Sequence, residues 1–202
     1  MKLSSRLLLC LLAAALAGCA GYDRRLTSSA TQYLTGGGNV VTKPSSVGIT
    51  DTVSYWDGDG VEGSPSITID LGEQKAFFYK GQRLVGVSMI SSGREGYATP
   101  PGTYKVIQKS KDHVSNLYGD YVDAAGNVMV ANVGVKRDPK PPGARFRGAP
   151  MPYFLRFHGG YGLHAGFLPG FPASHGCVRM PERMAQIFFA NVSQGTPVRV
   201  VN

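Results

Sequence analysis

Glycine and proline punctuate this chain at 40 of its 202 positions, 27 and 13 respectively, about a fifth where average usage would give about an eighth. Glycine opens backbone conformations that other residues avoid, and proline removes a hydrogen-bond donor, so a chain interrupted this often favours turns over long helices. Short strands joined by loops are expected, and a helical bundle is not. With 43% apolar and 17% charged residues, the chain carries enough hydrophobic surface for a core, which rules out wholesale disorder. Its length fits one domain with an appendage.

Strand signals dominate beyond Ser64. Ser66-Ile67-Thr68-Ile69-Asp70-Leu71 alternates, Lys75 to Tyr79 follows, and Lys80-Gly81-Gln82 turns into Leu84 to Ile90, which predicts a β-meander. Further strands are expected at Thr103 to Gln108, Val128 to Val133, Tyr153 to Phe157, Tyr161 to His164 and Pro197 to Val201. One helix is expected after Pro181, with Met184, Ile187, Phe188 and Val192 on one apolar face. Residues 19–64 read as a tether rich in Ser, Thr and Gly. Its end, Tyr55-Trp56-Asp57-Gly58-Asp59-Gly60, holds the only Trp and is able to fold onto the domain. The acids there lack the later ligands and closing Glu of a calcium loop.

Residues 1–18 have the pattern of a signal peptide: Lys2 and Arg6 precede an apolar run from Leu7 to Ala17, too short to span a bilayer. Leu16-Ala17-Gly18-Cys19 resembles the lipobox of bacterial lipoproteins. That resemblance implies cleavage after Gly18, lipid on Cys19 and a membrane anchor; Ala20 rather than Asp after Cys19 points to the outer membrane, facing the periplasm. Cys10 would leave with the signal and Cys19 would carry lipid, so Cys177 would be the one free thiol of an exported chain. An unpaired thiol in an oxidising compartment suggests chemistry at that thiol.

The net charge is +8, which favours acidic partners. The basic residues are scattered, however, with Lys136, Arg137, Lys140, Arg145 and Arg147 in a proline-rich stretch as the nearest approach to a cluster, and nucleic acid is not expected. Chemistry concentrates instead between His158 and Arg179, where Cys177 stands among His158, His164 and His175. An adjacent imidazole can take the proton of a thiol. Gly176 permits a tight turn whose N–H groups converge on an oxyanion. The same residues lack the paired close spacings of a zinc motif. His113 reads as a solvated loop residue.

The block His164-Ala165-Gly166 … Ser174-His175-Gly176-Cys177-Val178-Arg179-Met180 resembles the signature of the L,D-transpeptidase catalytic domain, bacterial enzymes that remodel peptidoglycan through a cysteine. Glu73-Gln74, Ser91-Ser92-Gly93, Thr99-Pro100-Pro101-Gly102-Thr103, Met151-Pro152-Tyr153 and Gly195-Thr196-Pro197-Val198 extend the likeness over residues 65–202. The resemblance implies a mainly β sandwich of mixed sheets with one or two short helices, and a lid over the cleft drawn from Lys109 to Pro150. It implies Cys177 as nucleophile and His164 as base, the latter oriented by the carbonyl of Ala165. Backbone N–H groups around His175, Gly176 and Cys177 would form an oxyanion hole supported by Ser174, with Arg179 and Tyr153 facing substrate. His158, which offers a second His-Gly pair, is the alternative base; a base must reach the thiol, and His164 has the better setting.

The implied substrates are peptidoglycan stem peptides, with no cofactor. The acyl group would pass to a second stem, to a wall-anchored protein, or to water, the last giving a carboxypeptidase or amidase. A cysteine peptidase and a wall-binding lipoprotein without catalysis are the readings of other classes.

Overall fold

A computed structural model describes residues 51–202. The signal peptide, Cys19 and most of the tether lie outside the described residues. Eleven strands and one helix follow in the order β1 (Tyr55–Trp56), β2 (Pro65–Asp70), β3 (Lys75–Lys80), β4 (Arg83–Met89), β5 (Gly102–Lys105), β6 (Gln108–Val122), β7 (Val128–Gly134), β8 (Arg145–His158), β9 (Tyr161–Ala165), β10 (Val178–Met180), α1 (Glu182–Asn191) and β11 (Pro197–Val201). They form two mixed sheets, one in the order β1-β4-β3-β2-β11-β5 and the other β10-β9-β8-β6-β7. The fold is thus mainly β, as the punctuation of the sequence requires.

The first sheet grows from the predicted meander. Alternation in β2 buries Ile67 and Ile69, β3 buries Ala76 and Phe78, and β11 lies parallel to β2 with Val198 opposite Ile67 and Val200 opposite Ile69. From the second sheet Leu155, Phe157, Leu163, Val178 and Met180 join the same core. Helix α1 adds Met184, Ala185 and Phe188. Val192, predicted on its apolar face, falls just past the helix end and is buried there. Phe188 meets Phe78 edge to face at 4.9 Å, and Trp56 meets Phe78 at 5.2 Å. The indole N–H donates to Asp59 at 2.8 Å. The packed fold therefore starts upstream of the 64/65 boundary drawn from sequence, with β1 paired to β4.

The stretch expected as a lid is built of strands. The far arms of β6, β7 and β8 enclose a small cluster of Tyr121, Val133 and Ala144. Between Val114 opposite Pro150 and Gly119 opposite Gly148 the β6–β8 register shifts, so Ser115 to Tyr118 bulge out of the ladder. The backbones touch at this bulge: a Cβ on Gly148 would meet the Ser115 carbonyl oxygen at 1.9 Å, which only glycine avoids. His113 is correspondingly a strand residue whose ring stacks on Phe154 at 4.3 Å, not a solvated loop residue.

Truncating Phe188 would remove the helix's main anchor. Phe188→Ala is expected to cost about 3–5 kcal/mol, read as a lower urea midpoint with little change in slope; a loss under about 1 kcal/mol would contradict this packing.

Candidate active site

The site is set by one parallel pairing. Strand β10 lies on β9 with Val178 opposite Leu163, Arg179 opposite His164 and Met180 opposite Ala165. Leu163, Val178 and Met180 turn into the core, so alternation presents Gly162 and His164 of β9, with Arg179 of β10, on the other face. Cys177, one residue before β10, arrives beside Gly162. His164, Arg179 and Cys177 border a cleft of about 240 Å³, which the Ser115–Tyr118 bulge also lines.

His164 is 4% exposed, and its Nδ1 lies 2.8 Å from the carbonyl oxygen of Ala165. A carbonyl only accepts, so Nδ1 carries the proton and Nε2 keeps its lone pair. Burial is the main cause that lowers His164 to about 3; the charges of Arg179 and His113 act the same way, and the bond to Ala165 opposes them. The imidazole is therefore neutral at pH 7. The Cys177 sulfur is half-buried and donates to the Gly160 carbonyl at 3.5 Å. Burial pushes its pKa up, more than the Gly162 N–H and the nearby Arg179 and Arg156 pull it down. At rest the thiol and the imidazole are thus both neutral, not an ion pair.

Residues 174–177 are fastened from outside. Ser174 N–H donates to Ser92 O at 3.0 Å, Arg94 N–H to Ser174 O at 3.1 Å, and Ser91 exchanges two backbone bonds with Arg179 at 3.0 Å each. Thr99 Oγ1 donates to Gly176 O at 2.8 Å, fixing the peptide that carries the Cys177 N–H. Ser174 Oγ accepts from Gly176 N–H at 3.0 Å and donates to the Cys177 carbonyl. The Gly176 N–H is thus hydrogen-bonded within the turn. Gly176 has φ +111°, and a Cβ would meet Tyr161 Cε1 at 2.6 Å. His175 accepts from Arg94 at 2.9 Å and stacks on Tyr118 at 4.4 Å. Burial, then the charges of Arg94, Arg179 and Arg137, lower it to about 4.

Residues 64–200 match the YkuD L,D-transpeptidase catalytic domain. The chain belongs to this family. It is 28% identical over 176 residues to Probable L,D-transpeptidase YbiS of Escherichia coli (strain K12), an alignment covering 84% of this chain and 52% of that protein; the chain spans about half the length of the curated relatives it matches. Among solved structures, LD transpeptidase LdtMt1 in complex with imipenem matches with TM-score 0.53 and 16% identity, over 68% of this chain and 59% of that one. An L,D-transpeptidase of Enterococcus faecium matches with TM-score 0.50 and 23% identity, over 69% and 50%. At these identities the two structures support the L,D-transpeptidase fold.

Within that fold, Cys177, His164, His175, Ser174 and Arg179 meet at the cleft, and Ala165 holds His164. Tyr153 does not join them. Its φ is +59°, and its ring packs on Phe189 of α1 at 5.8 Å. This turn shifts the alternation of β8: Ala149 and Met151 before it line the cleft, and so does Arg156 after it, while Leu155 and Phe157 enter the core. Arg156 escaped the sequence reading, although a lone guanidinium inside Tyr153-Phe154-Leu155-Arg156-Phe157 was a signal. His158 is exposed, and its ring lies at 4.8 Å from Tyr104 and 5.9 Å from Tyr161, outside the cleft lining.

His164→Ala is expected to lower turnover about 10²- to 10⁴-fold, the usual worth of a general base, with His158→Ala near the parent. Steady-state rates on stem peptides give the ranking, and the reverse order would reassign the base.

Proposed function

We propose that the protein is a peptidoglycan L,D-transpeptidase working through a thioester on Cys177. The observation that supports this best is the fixed tautomer of His164, whose Nε2 is left free to accept a proton in the cleft that holds the thiol. In the proposed cycle the Cys177 sulfur attacks the carbonyl between the L-centre of diaminopimelate and D-alanine in a tetrapeptide stem, while His164 Nε2 takes the thiol proton. The N–H groups of His175 and Cys177 hold the oxyanion. His164 then returns the proton to the departing amine, D-alanine leaves, and the acyl group rests on sulfur.

A side-chain amine of a second stem attacks the thioester next; His164 accepts its proton, and the Cys177 sulfur is expelled and reprotonated. The product is a 3→3 cross-link, or a protein–wall linkage if the amine belongs to a protein. Water as acceptor makes the same cycle an L,D-carboxypeptidase, and attack on an existing protein–wall bond makes it an amidase. The cycle uses no metal or organic cofactor. The cleft lining carries Arg156 and Arg179 and no carboxylate, which suits a substrate bearing carboxylates. The same reading attaches the domain by lipid on Cys19 to the outer membrane, facing the periplasm, and it rests on the Leu16–Cys19 motif.

Incubation with disaccharide-tetrapeptides followed by mass analysis tests the reading. A dimer short of one D-alanine is expected, absent with Cys177→Ser; tripeptide alone would assign the carboxypeptidase activity, and no product would overturn the enzyme reading. Fatty-acid labelling abolished by Cys19→Ser is expected in cells, and an unlabelled parent would contradict the anchor.

A further inference from the structure

Arg156 sits in the cleft without a part in the thiol–imidazole cycle. On β8 it pairs with Gly162 of β9, the residue whose N–H faces the Cys177 sulfur. Gly162 has no side chain, and a Cβ there would meet Phe154 Cε2 at 2.4 Å. Arg156 and Cys177 therefore stand on either side of Gly162, over which the Phe154 ring packs. Two strand spacings separate their backbones, about 10 Å, a span that one residue of bound peptide and a long side chain can bridge.

The Arg156 side chain is held ready. Its Nε donates to Gln108 Oε1 at 2.7 Å and its Nη1 to Gly159 O at 2.7 Å, with the guanidinium 5.2 Å over the Phe154 ring. Both acceptors are neutral oxygens. None of the ion pairs among the described residues, Lys75–Glu73, Arg137–Asp138 and Arg147–Asp120, includes it. A guanidinium has five N–H donors, so these bonds orient the fork without neutralising it and leave donors for the cleft. On the same aromatic ring, stacked at 4.3 Å, lies His113, which also lines the cleft and adds a ring N–H.

We propose that Arg156, with His113 beside it, forms a carboxylate-binding subsite that selects donor stems with a free carboxylate near the scissile bond. The inference rests on the transpeptidase reading above and names what that site discriminates. Such a stem offers two carboxylates close to the cleaved bond, on the side chain of its third residue and at the end of its terminal D-alanine. A carboxamide in either position keeps the shape and removes the charge, so it keeps one acceptor and loses the charge-assisted, bidentate pairing that a guanidinium prefers.

Three tetrapeptides test this: one with both carboxylates free, one with the third residue's side-chain carboxylate as the amide, and one with the terminal carboxylate as the amide. The parent protein is expected to lose roughly 10- to 100-fold in kcat/KM on one amide, mainly through KM, and Arg156→Gln is expected to reduce that discrimination to within about 3-fold. The amide whose penalty disappears identifies the carboxylate. Arg156→Lys, which keeps the charge but not the fork, should retain part of the discrimination and serves as the readout if the glutamine variant does not fold. His113→Gln should weaken it less than Arg156→Gln. Equal discrimination in the parent, Arg156→Gln and Arg156→Lys, with activity retained, would overturn the subsite and leave the transpeptidase reading standing. A parent that turns over none of the three peptides would overturn both.

Discussion

The parallel pairing of β10 on β9 is the contact on which the site depends. Its core side is the buried row of Leu155, Leu163 and Val178, and its other side carries the chemistry. Because side chains alternate across a sheet, burying Leu163 and Val178 directs His164 and Arg179 to the cleft and brings Cys177 next to Gly162. A slip of one residue would send His164 into the core. The hydrophobic row thus sets the register of the candidate site, and the bonds from Ser91, Ser92, Arg94 and Thr99 then fix the turn that carries the thiol.

Burial also decides the protonation of that pair. A desolvated imidazole resists charging and a desolvated thiol resists ionising; burial outweighs the Ala165 carbonyl at His164, and at Cys177 it outweighs the Gly162 N–H and the nearby guanidinium groups. Arg179 acts in the same direction on both groups: its positive charge lowers His164 and Cys177 alike, which favours the thiolate and keeps the imidazole neutral. In the proposed cycle proton transfer accompanies attack on the carbonyl, and the lid has a physical role in that step. Ser115 to Tyr118 line the same cleft as Cys177 and His164, with Tyr118 stacked on His175, and shielding a cleft from water strengthens each electrostatic contact within it.

Much of this was legible in the sequence, for reasons that can be traced residue by residue. Strands β2, β3 and β11 bury alternate residues, so their alternation is plain in Ile67 and Ile69 or Val198 and Val200. The thiol, His164 and the Ala165 carbonyl stand in two short blocks, 164–166 and 174–180, that are close in sequence. Strands β6 and β8 leave a weaker signal in the sequence because one face of each borders the cleft or solvent, so polar residues such as Lys111, Asp112 and His113 occupy strand positions. The bulge at Ser115 to Tyr118 and the positive φ of Tyr153 break the period further. That break explains both errors of placement in β8: Tyr153 turns toward α1, and Arg156, unremarked in sequence, turns toward the thiol. The commitment of the Gly176 N–H to Ser174 depends on a side-chain rotamer, which no sequence pattern displays.

The central physical claim is that Cys177 and His164 rest as a neutral pair, and the pH dependence of Cys177 alkylation by iodoacetamide measures it most directly. With Cys177 as the reacting thiol, located by peptide mapping, the rate constant is expected to be small at pH 6 to 7 and to climb steadily above the usual thiol pKa of about 8.5, following the thiolate. A rate that is already high and flat between about pH 4 and 7 would signal a thiolate–imidazolium ion pair, and would contradict the account.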